Sequence, residues 1–265
     1  MTGTGRLAEM FDRLQGKRAA LIAYATGYYP DRETSERVVE AMLAGGADAV
    51  EIGIPFSDPV MDGPIIQQTS KAALEAGATP AGVLDMVASL RPRTDSPLLA
   101  MTYYNLVLRH GLERFAVDAA GAGLDGLVVP DVPAEEMGPL KDACDDAGVA
   151  TVAFCSRTTS PERIAAASRM TTGFLYCVSL LGTTGARDSL EPGLPSFLRR
   201  VRSNADVPIA VGLGISTATQ CAEVGHLADG VIVGSALMRA AMEGNGDYSA
   251  LSGLVSAMAN ALRTA

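Results

Sequence analysis

Apolar runs recur along the chain at intervals of roughly 20–40 residues and alternate with amphipathic stretches of helical period, the pattern of repeating βα units. The runs predict strands over Ala20–Thr26, Ala49–Pro55, Leu98–Tyr103, Gly126–Asp131, Ala150–Cys155, Phe174–Ser179, Pro208–Gly212 and Gly230–Val233. Helical period predicts Asp31–Ala44, Pro64–Ala76, Pro80–Leu90, Leu112–Ala120, Ala134–Ala147, Pro161–Ala167, Leu194–Arg202, Thr217–Val224 and Ser249–Leu262. Start signals such as Pro30-Asp31 and Ser160-Pro161 support several of these helices. A leading helix, Leu7–Leu14, precedes the first strand and is placed to plug one end of a barrel. Eight strands in 265 residues match the usual size of a closed (βα)8 TIM barrel, here with an extra N-terminal helix. The expected organisation is one barrel domain over residues 1–265, with an open doubly wound sheet as the alternative. In either, chemistry belongs at the carboxyl ends of the strands.

Composition narrows the function. Hydrophobic content of 48% with only 5% aromatics and 28 Gly suits α/β layers better than a β-sandwich. A net charge of −9 argues against nucleic acid or anionic membrane as partner, yet leaves room for a phosphorylated substrate, because backbone N–H groups bind phosphate without net positive charge. Cys144, Cys155, Cys177 and Cys221 are scattered and read as small, reduced, buried hydrophobes. The N-terminus leads into a polar helix, so the expected location is cytoplasmic. Lys17, Lys71 and Lys141 all fall away from the carboxyl ends of strands, which leaves no Schiff-base candidate. His110 and His226 lie outside the strands with no ligand spacing, so no metal is expected.

The second strand carries the candidate chemistry. Read with period two, Val50, Ile52 and Ile54 share one face, suited to packing against helices, while Ala49, Glu51 and Gly53 share the other. Glu51 thus sits between small residues, as if space were kept beside it. Burial raises the pKa of such a carboxyl and makes it a proton donor near neutral pH. A second acid, Asp62, lies in the Pro/Gly-rich loop that follows. After the last two strands come the turns Gly212-Leu213-Gly214 and Gly234-Ser235, whose N–H groups are placed to converge on a phosphate. The long polar stretch Gly182–Ser189 after the sixth strand reads as a lid.

Glu51-Ile52-Gly53-Ile54-Pro55-Phe56-Ser57-Asp58-Pro59-Val60-Met61-Asp62-Gly63-Pro64 resembles the signature of the tryptophan synthase alpha chain family and fills each of its fixed positions. Met101–Val107 and Asp131-Val132-Pro133 resemble further segments of that family. The resemblance implies retro-aldol cleavage of 1-C-(indol-3-yl)glycerol 3-phosphate to indole and D-glyceraldehyde 3-phosphate. Glu51 matches the general acid–base, and Asp62 matches the acid that holds the indole N–H. Tyr24, Tyr103 and Tyr176 match active-site aromatics, with Tyr24 standing where Phe is common. Thr184 and Gly185 match the family's closing loop, and with Gly214, Gly234 and Ser235 they complete the implied substrate site. No cofactor is implied for this chain; pyridoxal phosphate is expected in a partner beta chain, within an alpha2beta2 heterotetramer. Asp58 and Pro59 match the loop that faces that partner. Two other readings stand beside this one: a free-standing indole-3-glycerol-phosphate lyase, and a catalytically silent barrel retained as a binding or activating subunit.

Overall fold

The computed structural model describes residues 3–178, 193–212 and 214–263. Among them, nine strands form one parallel sheet: β1 (Ala20–Thr26), β2 (Ala49–Gly53), β3 (Leu98–Met101), β4 (Gly126–Val128), β5 (Ala150–Val152), β6 (Phe154–Ser156), β7 (Leu175–Val178), β8 (Ile209–Gly212) and β9 (Gly230–Val233). Twelve helices surround it: α1 (Gly3–Leu14), α2 (Arg32–Ala44), α3 (Pro64–Glu75), α4 (Pro80–Leu90), α5 (Tyr104–His110), α6 (Leu112–Ala122), α7 (Gly138–Ala147), α8 (Pro161–Met170), α9 (Leu194–Arg202), α10 (Ala218–Gly225), α11 (Ser235–Glu243) and α12 (Ser249–Arg263).

The hydrogen-bonded order runs β5-β4-β3-β2-β1-β9-β8-β7-β6. Its two ends, β5 and β6, are separated in sequence by Ala153 alone, so the ring closes through the chain itself. The fold is therefore the expected (βα)8 barrel, with the fifth strand divided. Its first half pairs with β4 and its second half with β7. At the break, the Ala153 N–H donates to Thr171 Oγ1 (3.1 Å) and its carbonyl accepts from the Tyr176 N–H (2.8 Å). Both polar groups are satisfied by the β7 side, which is why the division costs no orphaned backbone group.

Alternation along the strands sorts the core into two layers. Val50, Ile52 and Ile54 join the shell between sheet and helices, as their period predicts. Ala20, Ile22, Ala49, Leu99, Val128, Ala150, Val152, Phe174, Ala210 and Ile232 fill the barrel interior. Leu7, Met10, Phe11 and Leu14 of α1 pack into that same interior, and Thr4 N bonds Gly148 O just before β5. The leading helix thus closes the amino end of the barrel. Asp125 anchors it there: this fully buried carboxylate accepts from Arg6 (2.7 Å), Arg91 (2.9 Å) and the Leu98 N–H (2.8 Å).

Several boundaries differ from the sequence expectations. The second, third and fourth strands end two or three residues early, at Gly53, Met101 and Val128, and the chain continues as loop. The expected helix at Ala134 begins as a 3-10 turn (Ala134–Glu136) and becomes α7 only at Gly138. Helices α5 and α11 were absent from the expected set. No helix among the described residues is long and apolar enough to cross a membrane.

Candidate active site

Register brings the chemistry to the carboxyl end of the barrel. Tyr24 of β1 stands opposite Glu51 of β2, and Phe154 of β6 opposite Tyr176 of β7. These four side chains, with Asp62, line a cavity of about 430 Å³ whose other walls include Ile66, Met101, Pro130, Val178 and Ile232. The walls are mainly apolar, and Phe154 and Tyr176 stack at 4.6 Å between centroids. A planar aromatic ring fits such a slot.

Glu51 is 1% exposed, and its Oε2 has no hydrogen-bond partner. A buried carboxylate left without a partner is costly, so the neutral acid is favoured. Burial, reinforced by the neighbouring charge of Asp62, pushes its pKa up to about 8. Asp62 is 9% exposed, and burial raises it to about 6, opposed by a hydrogen bond from the Tyr103 hydroxyl. Near neutral pH the first group therefore holds its proton and the second has mostly lost it. Two carboxyls in one cavity with separated protonation states are suited to opposite tasks.

The small residues beside Glu51 have a specific use. A Cβ on Gly53 would fall on the Tyr24 hydroxyl, and one on Gly212 would fall on the Tyr176 hydroxyl. Part of the space expected next to Glu51 is thus filled by tyrosine, which narrows the cavity. Burial keeps both phenols well above their ordinary pKa, so they remain neutral.

Tyr103 lies outside the cavity wall. Its ring stacks on Phe56 (5.0 Å), and its hydroxyl accepts the Met61 N–H (3.0 Å) beside Asp62. It holds the loop that carries the acid. The same loop is pinned by Asp62 N to Pro59 O (3.0 Å) and by Gln67 Nε2 to Asp62 O (2.9 Å). At its crest, Val60 and Met61 are 73% and 48% exposed.

The two Gly-rich turns differ in what they leave open. At α10, Thr217 and Gln220 form a capping box, and Gln220 Oε1 also takes the Ser216 N–H (2.8 Å). That helix end is satisfied by its own side chains, which the sequence reading did not foresee. At α11, Gly234 is the N-cap and supplies no side-chain cap for the first-turn N–H groups, and Gly234, Ser235 and Ala236 line the cavity. Gly214, at φ +81°, completes this polar corner. Thr184 and Gly185, with the rest of the expected lid, lie outside the described residues. Phe154, Met101, Ile232 and Arg239 line the cavity although sequence reasoning did not single them out; for the first three, inward strand parity was the available signal. The His110 ring pairs with Asp118 (2.6 Å), neither of which lines the cavity, and no group of His, Cys, Asp and Glu among the described residues has metal-binding geometry.

Residues 10–261 match the family model described as tryptophan synthase alpha chain. The tryptophan synthase alpha chain of Geotalea daltonii is 40% identical over 257 residues, covering 96% of this chain and 97% of that one. That of Chloroflexus aggregans is 46% identical over 235 residues, 88% of each. Among solved structures, tryptophan synthase subunit alpha of Legionella pneumophila superposes with a TM-score of 0.92 at 32% identity, covering 100% of both chains.

Proposed function

This chain belongs to the tryptophan synthase alpha chain family, and we propose that within it Glu51 and Asp62 are the catalytic pair. The reaction is that of a carbon–carbon lyase: 1-C-(indol-3-yl)glycerol 3-phosphate gives indole and D-glyceraldehyde 3-phosphate. Alpha chains carry no cofactor of their own; pyridoxal phosphate belongs to the beta chain.

Cleavage needs the indole ring to accept the electrons of the breaking bond. Glu51, protonated near neutral pH, donates to indole C3 and makes that carbon tetrahedral. The ring nitrogen becomes an iminium, and Asp62 as carboxylate accepts its N–H and stabilises the positive charge. The Glu51 carboxylate then removes the proton of the glycerol hydroxyl next to the scissile bond. That oxygen becomes the aldehyde, the C–C electron pair returns to the ring, and neutral indole leaves with Glu51 reprotonated. The observation that carries the reading is the unpartnered, buried Oε2 of Glu51 at the wall of a cavity that also holds Asp62. Tyr24 and Tyr176 flank the ring, and the phosphate sits on the N–H groups at Gly214, Gly234 and Ser235, with Thr184 and Gly185 as further substrate-binding residues.

Glu51→Gln keeps the shape and cannot shuttle a proton. The expected loss of indole release is beyond the ~10²–10⁴ of simple proton-transfer catalysis, with the fold intact. Retention of a tenth of wild-type activity would sink the assignment.

The family's partner is the beta chain, and we place this chain in an alpha2beta2 heterotetramer in the cytoplasm. The exposed Val60 and Met61, on the loop that positions Asp62, favour this over a free-standing lyase. Titrating the chain with its cognate beta chain should raise glyceraldehyde 3-phosphate release strongly. The rise should be lost in Asp58→Ala, whose rate alone is unchanged. No complex and no activation would favour the free-standing enzyme.

A further inference from the structure

The cavity extends past the barrel mouth. One face of α11, comprising Ser235, Ala236, Arg239, Ala240 and Glu243, lines it together with Leu254 of α12. A trough therefore runs from the Gly234 turn along the helix. Arg239 is the only cation among the described residues that line the cavity, where the carboxyl groups are those of Glu51, Asp62 and Glu243. Its side chain is exposed, and no described residue bonds or pairs with it, whereas Arg18 and Arg202 are tied to Asp48 and Asp229.

Position on the helix gives this charge a direction. Arg239 follows Ser235 by one turn, and a helical side chain lies over the turn on the N-terminal side of its own Cα. Its stem is directed back toward Gly234 and Ser235. The helix end offers roughly half a positive charge, against about −1.5 to −2 on a phosphate monoester at neutral pH. The cavity carboxyls and the net charge of −9 oppose approach of that anion.

We propose that Arg239 recognises the substrate phosphate, drawing it along the trough and holding it against the first turn of α11. The inference rests on the phosphate seat proposed above. Arg supplies a permanently charged fork of donors matched to phosphate oxygens, and a neutral amide does not.

The test compares wild type with Arg239→Gln and Arg239→Lys, using inorganic phosphate as competitive inhibitor and an indolylglycerol lacking phosphate as alternative substrate. Arg239→Gln should raise KM and the phosphate inhibition constant about tenfold, the loss falling on KM rather than kcat. The preference for phosphorylated over phosphate-free substrate should shrink by the same factor, and the salt dependence of kcat/KM should flatten. Arg239→Lys should recover most of the effect. If phosphate inhibits wild type and the Gln variant equally, the role of Arg239 is overturned and the seat survives. If phosphate does not inhibit wild type and both substrates are cleaved alike, seat and inference fall together.

Discussion

Replacing Glu51 by Gln tests the buried acid without any reference to catalysis. Below pH 4.5 the wild-type group is neutral in both folded and unfolded chains, so the two proteins differ only by a constant. As pH rises, the unfolded chain releases its proton near 4.5 while the folded one holds it until about 8. The folded state then binds more protons than the unfolded state, so wild-type stability falls across that window and is lowest above pH 8. Gln does not titrate and escapes this loss. At 1.36 kcal/mol per tenfold change in the proton equilibrium, a move from 4.5 to about 8 is worth about 5 kcal/mol. Relaxation around the ionised group reduces this, so a relative gain of about 2–5 kcal/mol for Glu51→Gln is expected between pH 5 and pH 8.5. Asp62 titrates in both proteins and largely cancels from the comparison. Urea unfolding of each protein at several pH values gives the difference directly from midpoints and slopes. A difference constant to within about 0.5 kcal/mol over the range would mean that Glu51 is ionised throughout, and the proton-donor argument would fail with it.

Three further outcomes follow from geometry. The free-enzyme profile of kcat/KM should be bell-shaped, rising as Asp62 ionises near 6 and falling as Glu51 ionises near 8; a plateau extending past pH 9.5 or so would refute the pairing. Gly53→Ala places a methyl group on the Tyr24 hydroxyl and should cut kcat/KM at least about tenfold, with Tyr24→Phe in the same chain restoring part of it. Failure of the double variant to recover anything would show that Gly53 acts through some other contact. Asp125→Ala leaves Arg6 and Arg91 facing each other without their shared acceptor and should destabilise by about 3–5 kcal/mol in urea, while folded protein keeps its kcat/KM.

What the sequence made legible followed local rules. Parity along β2 separated Glu51 from Val50 and Ile52, and the position of the leading helix ahead of the first strand suited it to close one end of the barrel. What stayed hidden depends on contacts distant in sequence. Helix α5 is short, and its first N–H donates to Asp131 Oδ1 (2.9 Å), a residue 27 positions away, so no local start signal exists. The break at Ala153 depends on Thr171 and Tyr176, both on later elements. Tyr103 reads as an active-site aromatic by motif; that it also braces the Asp62 loop was hidden, because only the folded loop brings Met61 N within reach. The self-capped end of α10 was legible in principle, since Thr217 and Gln220 carry the spacing of a capping box.

The closure of the amino end by α1 has a consequence for how the molecule handles its reactants. Leu7, Met10, Phe11 and Leu14 turn what is drawn as a cylinder into a cup. With the amino end packed shut, the carboxyl end is left for reactant and both products. The loop bearing Val60 and Met61 stands on that rim, as does the trough along α11. Whatever protein seats itself there controls arrival and departure alike. Containment of a small apolar product would then follow from the shape of the vessel, without a separate gate at its base.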